Sequence, residues 1–241
     1  MDETTVRSVF HTGEGHVESL GDRLNWLRAG VLGANDGLVS VAGVVVGVAG
    51  ATSTLSTILT AGLAALVAGS LSMAGGEYVS VSTQRETEQA ALDREKEELA
   101  TIPEQEEAEL ASIYQSRGLS EQLARQVARE LTEGNALRAH AEAELRIDPD
   151  ALTSPWQAAG ASFIAFAIGG SLPIVAIILP FEDWRVALCV VAVIVGLVIT
   201  GYVSARLGGA KSQAAILRNV GVGILTMAIT WAVGKLSGSR I

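Results

Sequence analysis

The chain has 241 residues, 49% of them hydrophobic, with a mean hydropathy of +0.38 and a formal net charge of -9. Its apolar residues come in long uninterrupted runs, which excludes an ordinary soluble domain and leaves room for about five membrane spans and one modest polar domain. The single cysteine, Cys189, excludes an internal disulfide and a Cys-based metal site, so any metal here takes oxygen, nitrogen or thioether ligands.

Residues 1–25 form a polar tail carrying His11, Glu14, His16 and Glu18, read as solvated rather than metal-binding. The first apolar run begins only near Trp26, which predicts a retained span and not a cleaved signal peptide. That span, Trp26 to about Ala49, is centred on Gly33-Ala34-Asn35-Asp36-Gly37. At helical rise Asp36 lies about 15 Å in from Trp26, where a carboxylate costs about 2.5–3.5 kcal/mol and so belongs beside a partner, a cavity or an ion path. Gly33 with Gly37, and Gly43 with Gly47, are small-xxx-small pairs that predict close approach to another helix.

The second span, Ile58 to Val81, ends in Ser72-Met73-Ala74-Gly75-Gly76-Glu77-Tyr78-Val79-Ser80-Val81. Met73 and Glu77 are four apart and share a helical face. Two antiparallel spans put Met73 at a depth similar to Asp36, so those two can line one pathway; taken alone, Met73 also reads as ordinary packing, and Glu77, one turn from the cytoplasmic boundary, as a side chain that either joins them or snorkels. Two carboxylates neutralise a divalent cation, and a thioether adds soft character that Mg(II) and Ca(II) do not prefer.

An acidic stretch follows. Residues 86–150 hold 17 of the 26 acidic residues against seven Lys and Arg, so the net charge belongs to this stretch. Its composition is helix-forming, with breaks expected at Thr101-Ile102-Pro103, where Pro suits a first turn, at Gly118 to Ser120, where Gly ends one helix and Ser caps the next, and at Asn135. Carboxylates recur at helix-face spacing: Glu95 with Glu98, Glu106 with Glu109, and His140 with Glu144. Each pair offers two ligands to one cation, and oxygen with one imidazole suits Fe(II), Mn(II) or Zn(II). The competing reading is a solvated charged face; the excess of one sign weighs against it, because a merely solvated helix mixes both signs.

Three more apolar runs, about Trp156–Leu179, Trp184–Ala205 and Ile216–Leu236, complete five spans, with a kink expected at Pro173 and a close contact at Gly169-Gly170. The resulting division is 1–25 tail, 26–82 first two spans, 83–150 acidic helical domain, and 151–241 last three spans. Lys and Arg number 14 on the side of the tail and the acidic domain against three on the other, which predicts that both are cytoplasmic. The sequence shows no Gly-rich nucleotide loop of the kind that ATP-driven proteins carry.

Ala34-Asn35-Asp36-Gly37, then Ser72-Met73-Ala74 followed by Gly-Glu-Tyr-Val-Ser-Val, then an acidic helical insert before the third span resemble the vacuolar iron transporter family in its shorter bacterial form. The resemblance covers nearly the whole chain. It implies an all-α membrane protein of five transmembrane helices, with a cytoplasmic helical metal-binding insert between the second and third. It further implies a homodimer in the bacterial inner membrane that exports Fe(II), and often Mn(II), in exchange for protons along a dimer-interface path. Asn35, Asp36, Met73 and Glu77 would line that path, and Glu95, Glu98, Glu106, Glu109 and Glu144 would bind metal in the insert. Plant and fungal members place methionines on its last helix; the matching positions here hold His140 and Ala141, which makes His140 a substitute ligand. Expected partners are therefore divalent transition-metal ions, protons, membrane lipid and a second copy, with no permanent cofactor, no nucleic acid and no enzymatic activity. The alternative weighed is a membrane-tethered iron-binding protein or ferroxidase. Di-iron sites on helices use Glu-x-x-His, and position 137, three before His140, is Leu. A third reading, an adaptor whose acidic insert binds a basic partner, leaves Asp36 without a role.

Overall fold

The computed structural model describes residues 20–179 and 182–239, with side chains from residue 30 onward except at 182. The tail with His11, Glu14, His16 and Glu18 lies outside the described residues. Apart from short connections, the described residues are helical: α1 (Leu20–Ala51), α2 (Leu55–Thr101), α3 (Pro103–Ser116), α4 (Glu121–His140) running into a π-helical turn at Ala141–Leu145, α5 (Pro155–Ile178), α6 (Arg185–Leu207) and α7 (Ser212–Gly238). Five of these, α1, α2, α5, α6 and α7, are long and apolar enough to cross a membrane. Contacts divide the chain into two compact units, one reaching to Ala74 and resuming at Ala159, the other Gly75–Ala158, and α2 contributes to both.

In the first unit glycines decide which helices meet. Gly33 lies against Ser162 and Ala165, and Gly37 against Phe166 and Gly170, so α1 and α5 run parallel with their backbones in contact. Gly43 faces Thr226, Gly47 faces Thr230 and Gly234, and Ala51 faces Gly238, so α7 is parallel to α1 as well. Gly62 of α2 meets Val45, while Leu66 and Val41 both reach Gly170, which makes α2 antiparallel to α1. Gly201 rests on Ile216 and Gly223 on Leu197, so α6 opposes α7. The alternation of direction is what a chain threading back and forth through a bilayer requires. Leu38, Val41, Val45, Ile58, Phe166, Ile177, Val193, Leu197 and Met227 form the buried core between them. Pro173 is accommodated inside α5, buried, without ending the helix. Outward-facing residues are apolar, Leu63, Val67, Ile168, Val195 and Leu225 among them, as lipid contact demands.

In the second unit α2 continues past the apolar Val81 to Thr101 without a break, because no Gly or Pro follows Gly76 until Pro103. Pro103 opens α3 in its first turn, with Glu104 and Glu106 near the positive end of the helix dipole. Gly118, at φ +104°, makes the turn to α4, and Ser120 caps α4 by accepting a hydrogen bond from the Leu123 N–H at 3.4 Å. Asn135 is extended (φ -158°, ψ 92°) and kinks α4; its Oδ1 accepts from the Arg138 N–H at 3.0 Å, so a second capped segment starts there. The core under these helices is small: Leu110, Ala111, Ala128, Ala139 and Ala143, with Ile113 and Tyr114 beside it. Alanines at the facing positions let α3 and α4 approach closely. Tyr78 and Trp156 pack with ring centroids 4.8 Å apart and planes tilted by 54°, an aromatic pair of the kind that sits at a membrane–water boundary.

Candidate metal centre and membrane path

Three elements of the second unit each turn an acidic or imidazole group inward at one point. His140 is wholly buried, Glu95 is 3% exposed and Glu106 4% exposed, while Glu144 is more open. His140 Nδ1 lies 3.0 Å from Glu95 Oε1 and 3.7 Å from both Glu106 Oε2 and Glu144 Oε2. The 3.0 Å approach lacks hydrogen-bond geometry, so Glu95 Oε1 and both ring nitrogens of His140 are buried with no hydrogen-bond partner. Buried polar atoms are paired in the great majority of cases, and several that converge unpaired on one point are the arrangement a cation completes. Ligand atoms of Glu95, His140 and Glu144 all lie within 4.8 Å of one another. Glu98, half-buried, and Glu109, exposed, stand close enough to act on Glu95 electrostatically.

Electrostatics express the same crowding. Burial pushes the Glu95 carboxyl up to about 7, and the nearby carboxylates Glu144, Glu106, Glu98 and Glu109 push in the same direction. Glu106 is raised by burial and then by Glu109, with His140 acting against both. A divalent cation among these oxygens removes the repulsion and replaces the lost hydration. The local backbone supports the placement. His140 sits in the last turn of α4 and Glu144 in the π-helical turn, which ends at Arg146 in the left-handed region (φ 57°). The Arg117 guanidinium donates to the Ala143 carbonyl, tying the end of α3 to that turn. No local signal in the sequence marks Arg117 for this role, because its partner lies 26 residues away.

Of the residues expected to line a membrane path, Asn35, Asp36 and Met73 lie in the first unit and Glu77 in the second. Asp36 is exposed on α1, and its Oδ1 accepts a hydrogen bond from Ser40 Oγ at 2.9 Å. Asn35 is half-buried with its Oδ1 enclosed and unpartnered. Met73 is half-buried and packs on the core of the first unit. Glu77 is half-buried and belongs to the second unit. Beside Asp36 an open groove of about 450 Å³ runs between α1 and α7, lined by Ser40, Gly43, Val44, Gly47, Thr226 and Thr230 among others.

The VIT family profile matches residues 27–235. The chain belongs to the VIT family. Among relatives of this VIT family chain, a vacuolar iron transporter from Acanthamoeba castellanii is 42% identical over 226 residues, covering 93% of this chain and 83% of the relative. Vacuolar iron transporter homolog 2.1 from Arabidopsis thaliana is 35% identical over 222 residues, 90% of this chain and 84% of the relative. VIT-like transporter 1b from Glycine max is 31% identical over 239 residues, 98% and 85% of the two chains. The matched span takes in both the membrane helices and the acidic unit.

Proposed function

We propose that this VIT family protein is a proton-coupled transporter that exports Fe(II), and Mn(II), from the cytoplasm. Its family is one of transporters and not of enzymes, and the relatives' names point to iron as cargo. The observation that carries the reading is the convergence of buried Glu95, Glu106 and His140 on one point, with Glu95 Oε1 and both ring nitrogens of His140 lacking hydrogen-bond partners. Metal is captured there, with Glu144 closing the open side and Glu98 and Glu109 drawing cations toward it. Carboxylate oxygens and one imidazole nitrogen supply the mixed donor set that Fe(II) and Mn(II) accept.

From the acidic unit the ion passes to a membrane path lined by Asn35, Asp36, Met73 and Glu77. Asp36 and Glu77 take metal and proton in turn, which gives exchange without ATP. A second copy of the chain covers the α1 face: an exposed carboxylate at membrane depth costs about 2.5–3.5 kcal/mol against lipid, and the adjoining small-residue groove suits close approach of another helix. The acidic unit and the N-terminus face the cytoplasm, as the 14-to-three distribution of basic residues favours.

Metal titration of the purified full chain tests the capture step. Glu95→Gln with Glu106→Gln is expected to remove high-affinity Mn(II) and Fe(II) binding, because amides cannot supply the negative charge. Binding unchanged by both substitutions would show the cluster to be structural.

A further inference from the structure

A hydroxyl in an apolar helix has a partner close at hand, the carbonyl three or four residues back. Ser70, Ser171, Thr200 and Thr230 all use it, donating to Leu66, Ile168, Leu197 and Thr226. Ser40 does not. Its hydroxyl donates to the Asp36 carboxylate instead, one turn back, and this is the one hydrogen bond that carboxylate receives among the described residues. Both residues are exposed, one turn apart on the same face of α1, and Ser40 also forms part of the α1–α7 groove.

We infer that Ser40 is a positioning residue for the transported cation: it holds the Asp36 carboxylate in one orientation before the metal arrives. The inference rests on the reading above that places Asp36 in the path. An aspartate facing lipid or a narrow interface, with no other donor, is free to rotate about both side-chain bonds. A bond from Ser40 fixes it and uses a single lone pair of Oδ1, leaving Oδ2 and the remaining Oδ1 lone pair for a cation. A neutral hydroxyl does this without competing for the carboxylate's charge, as Lys or Arg at the same position would. Ordering the ligand in advance lowers the cost of binding, so its effect belongs in metal affinity more than in the maximum rate.

Initial rates of Fe(II) uptake into proteoliposomes, measured over a range of metal concentration, test the inference with wild type, Asp36→Ala, Ser40→Ala and Ser40→Thr. Ser40 is exposed, so truncation to Ala opens no cavity in the core. Hydrogen bonds to charged groups are strong enough that Ser40→Ala should raise KM about tenfold. Its maximum rate should stay within about twofold of wild type, Ser40→Thr should restore KM, and thermal unfolding in detergent should be the same for all. A wild-type KM in Ser40→Ala, or a defect that Ser40→Thr does not restore, overturns the role of Ser40 and leaves Asp36 in place. Wild-type rates in Asp36→Ala overturn the path itself.

Discussion

At the scale of single residues, Glu95 carries an electrostatic load that folding imposes on it. Its carboxyl stands at about 7 in the folded chain against an ordinary 4.5, because burial and four neighbouring carboxylates disfavour its charge. A carboxyl raised by folding contributes stability that is complete below its unfolded value and is lost as pH climbs through the folded one. The metal-free acidic unit should therefore lose stability between about pH 4.5 and 7. Glu95→Gln should remove most of that loss, raising the unfolding temperature at pH 8 with chelator present and changing it little at pH 5. The reverse order would mean that Glu95 is stabilised as an anion. Metal binding has the opposite pH dependence, since a cation must displace the proton held at Glu95. Mn(II) affinity of the full chain should rise severalfold from pH 6 to pH 8, and a flat profile by isothermal titration would contradict the assignment of Glu95 as a ligand.

At the scale of elements, the breaks between helices were legible because they rest on local chemistry. Pro103 fits a first turn, where its missing N–H costs nothing, Gly118 takes a positive φ that other residues resist, and Ser120 offers the oxygen a first turn needs. Asn135 shows the same logic at a kink, where its side chain restarts the helix that carries His140. Losing that cap in Asn135→Ala should cost about 0.5–2 kcal/mol and loosen metal binding, with the unfolding temperature and the Mn(II) titration moving together. Burial among the acidic pairs was not legible. Glu95 and Glu98, or Glu106 and Glu109, are equivalent by spacing, and only tertiary packing decides that Glu106 is the buried one on α3 and that Glu95 of α2 meets His140. The partners of the membrane glycines were hidden for the same reason: Gly33 and Gly37 announce a close approach without saying that α5 makes it. Two glycines of α5 give a matched test. A Cβ at Gly169 would strike the Ala34 carbonyl, while one at Gly160 meets nothing within 4 Å. Gly169→Ala should lower the unfolding temperature in detergent, by a cost of about 1–3 kcal/mol for forcing two backbones apart. Gly160→Ala should raise it slightly, since Ala favours a helix over Gly by about 1 kcal/mol. Equal shifts would remove the backbone contact between α1 and α5 from the account.

At the scale of the whole molecule, the proposed transport draws on both units: an acidic one with buried, unpaired polar side chains, and an apolar one built from long helices with a carboxylate on its surface. A solvated acidic domain would leave its glutamates exposed, and a purely structural bundle would have no reason to hold Asp36 at membrane depth. Each unit therefore carries a feature that stability alone does not explain, and membership of the VIT family joins them. The central claim is the exchange of metal for protons through Asp36. It is tested most directly by Fe(II) uptake into proteoliposomes that enclose a pH dye, comparing wild type with Asp36→Asn. The account predicts uptake accompanied by opposite movement of protons in the wild type, and loss of both in a variant that still folds and still binds metal in its acidic unit. Metal uptake without proton movement, or full activity in Asp36→Asn, would contradict it.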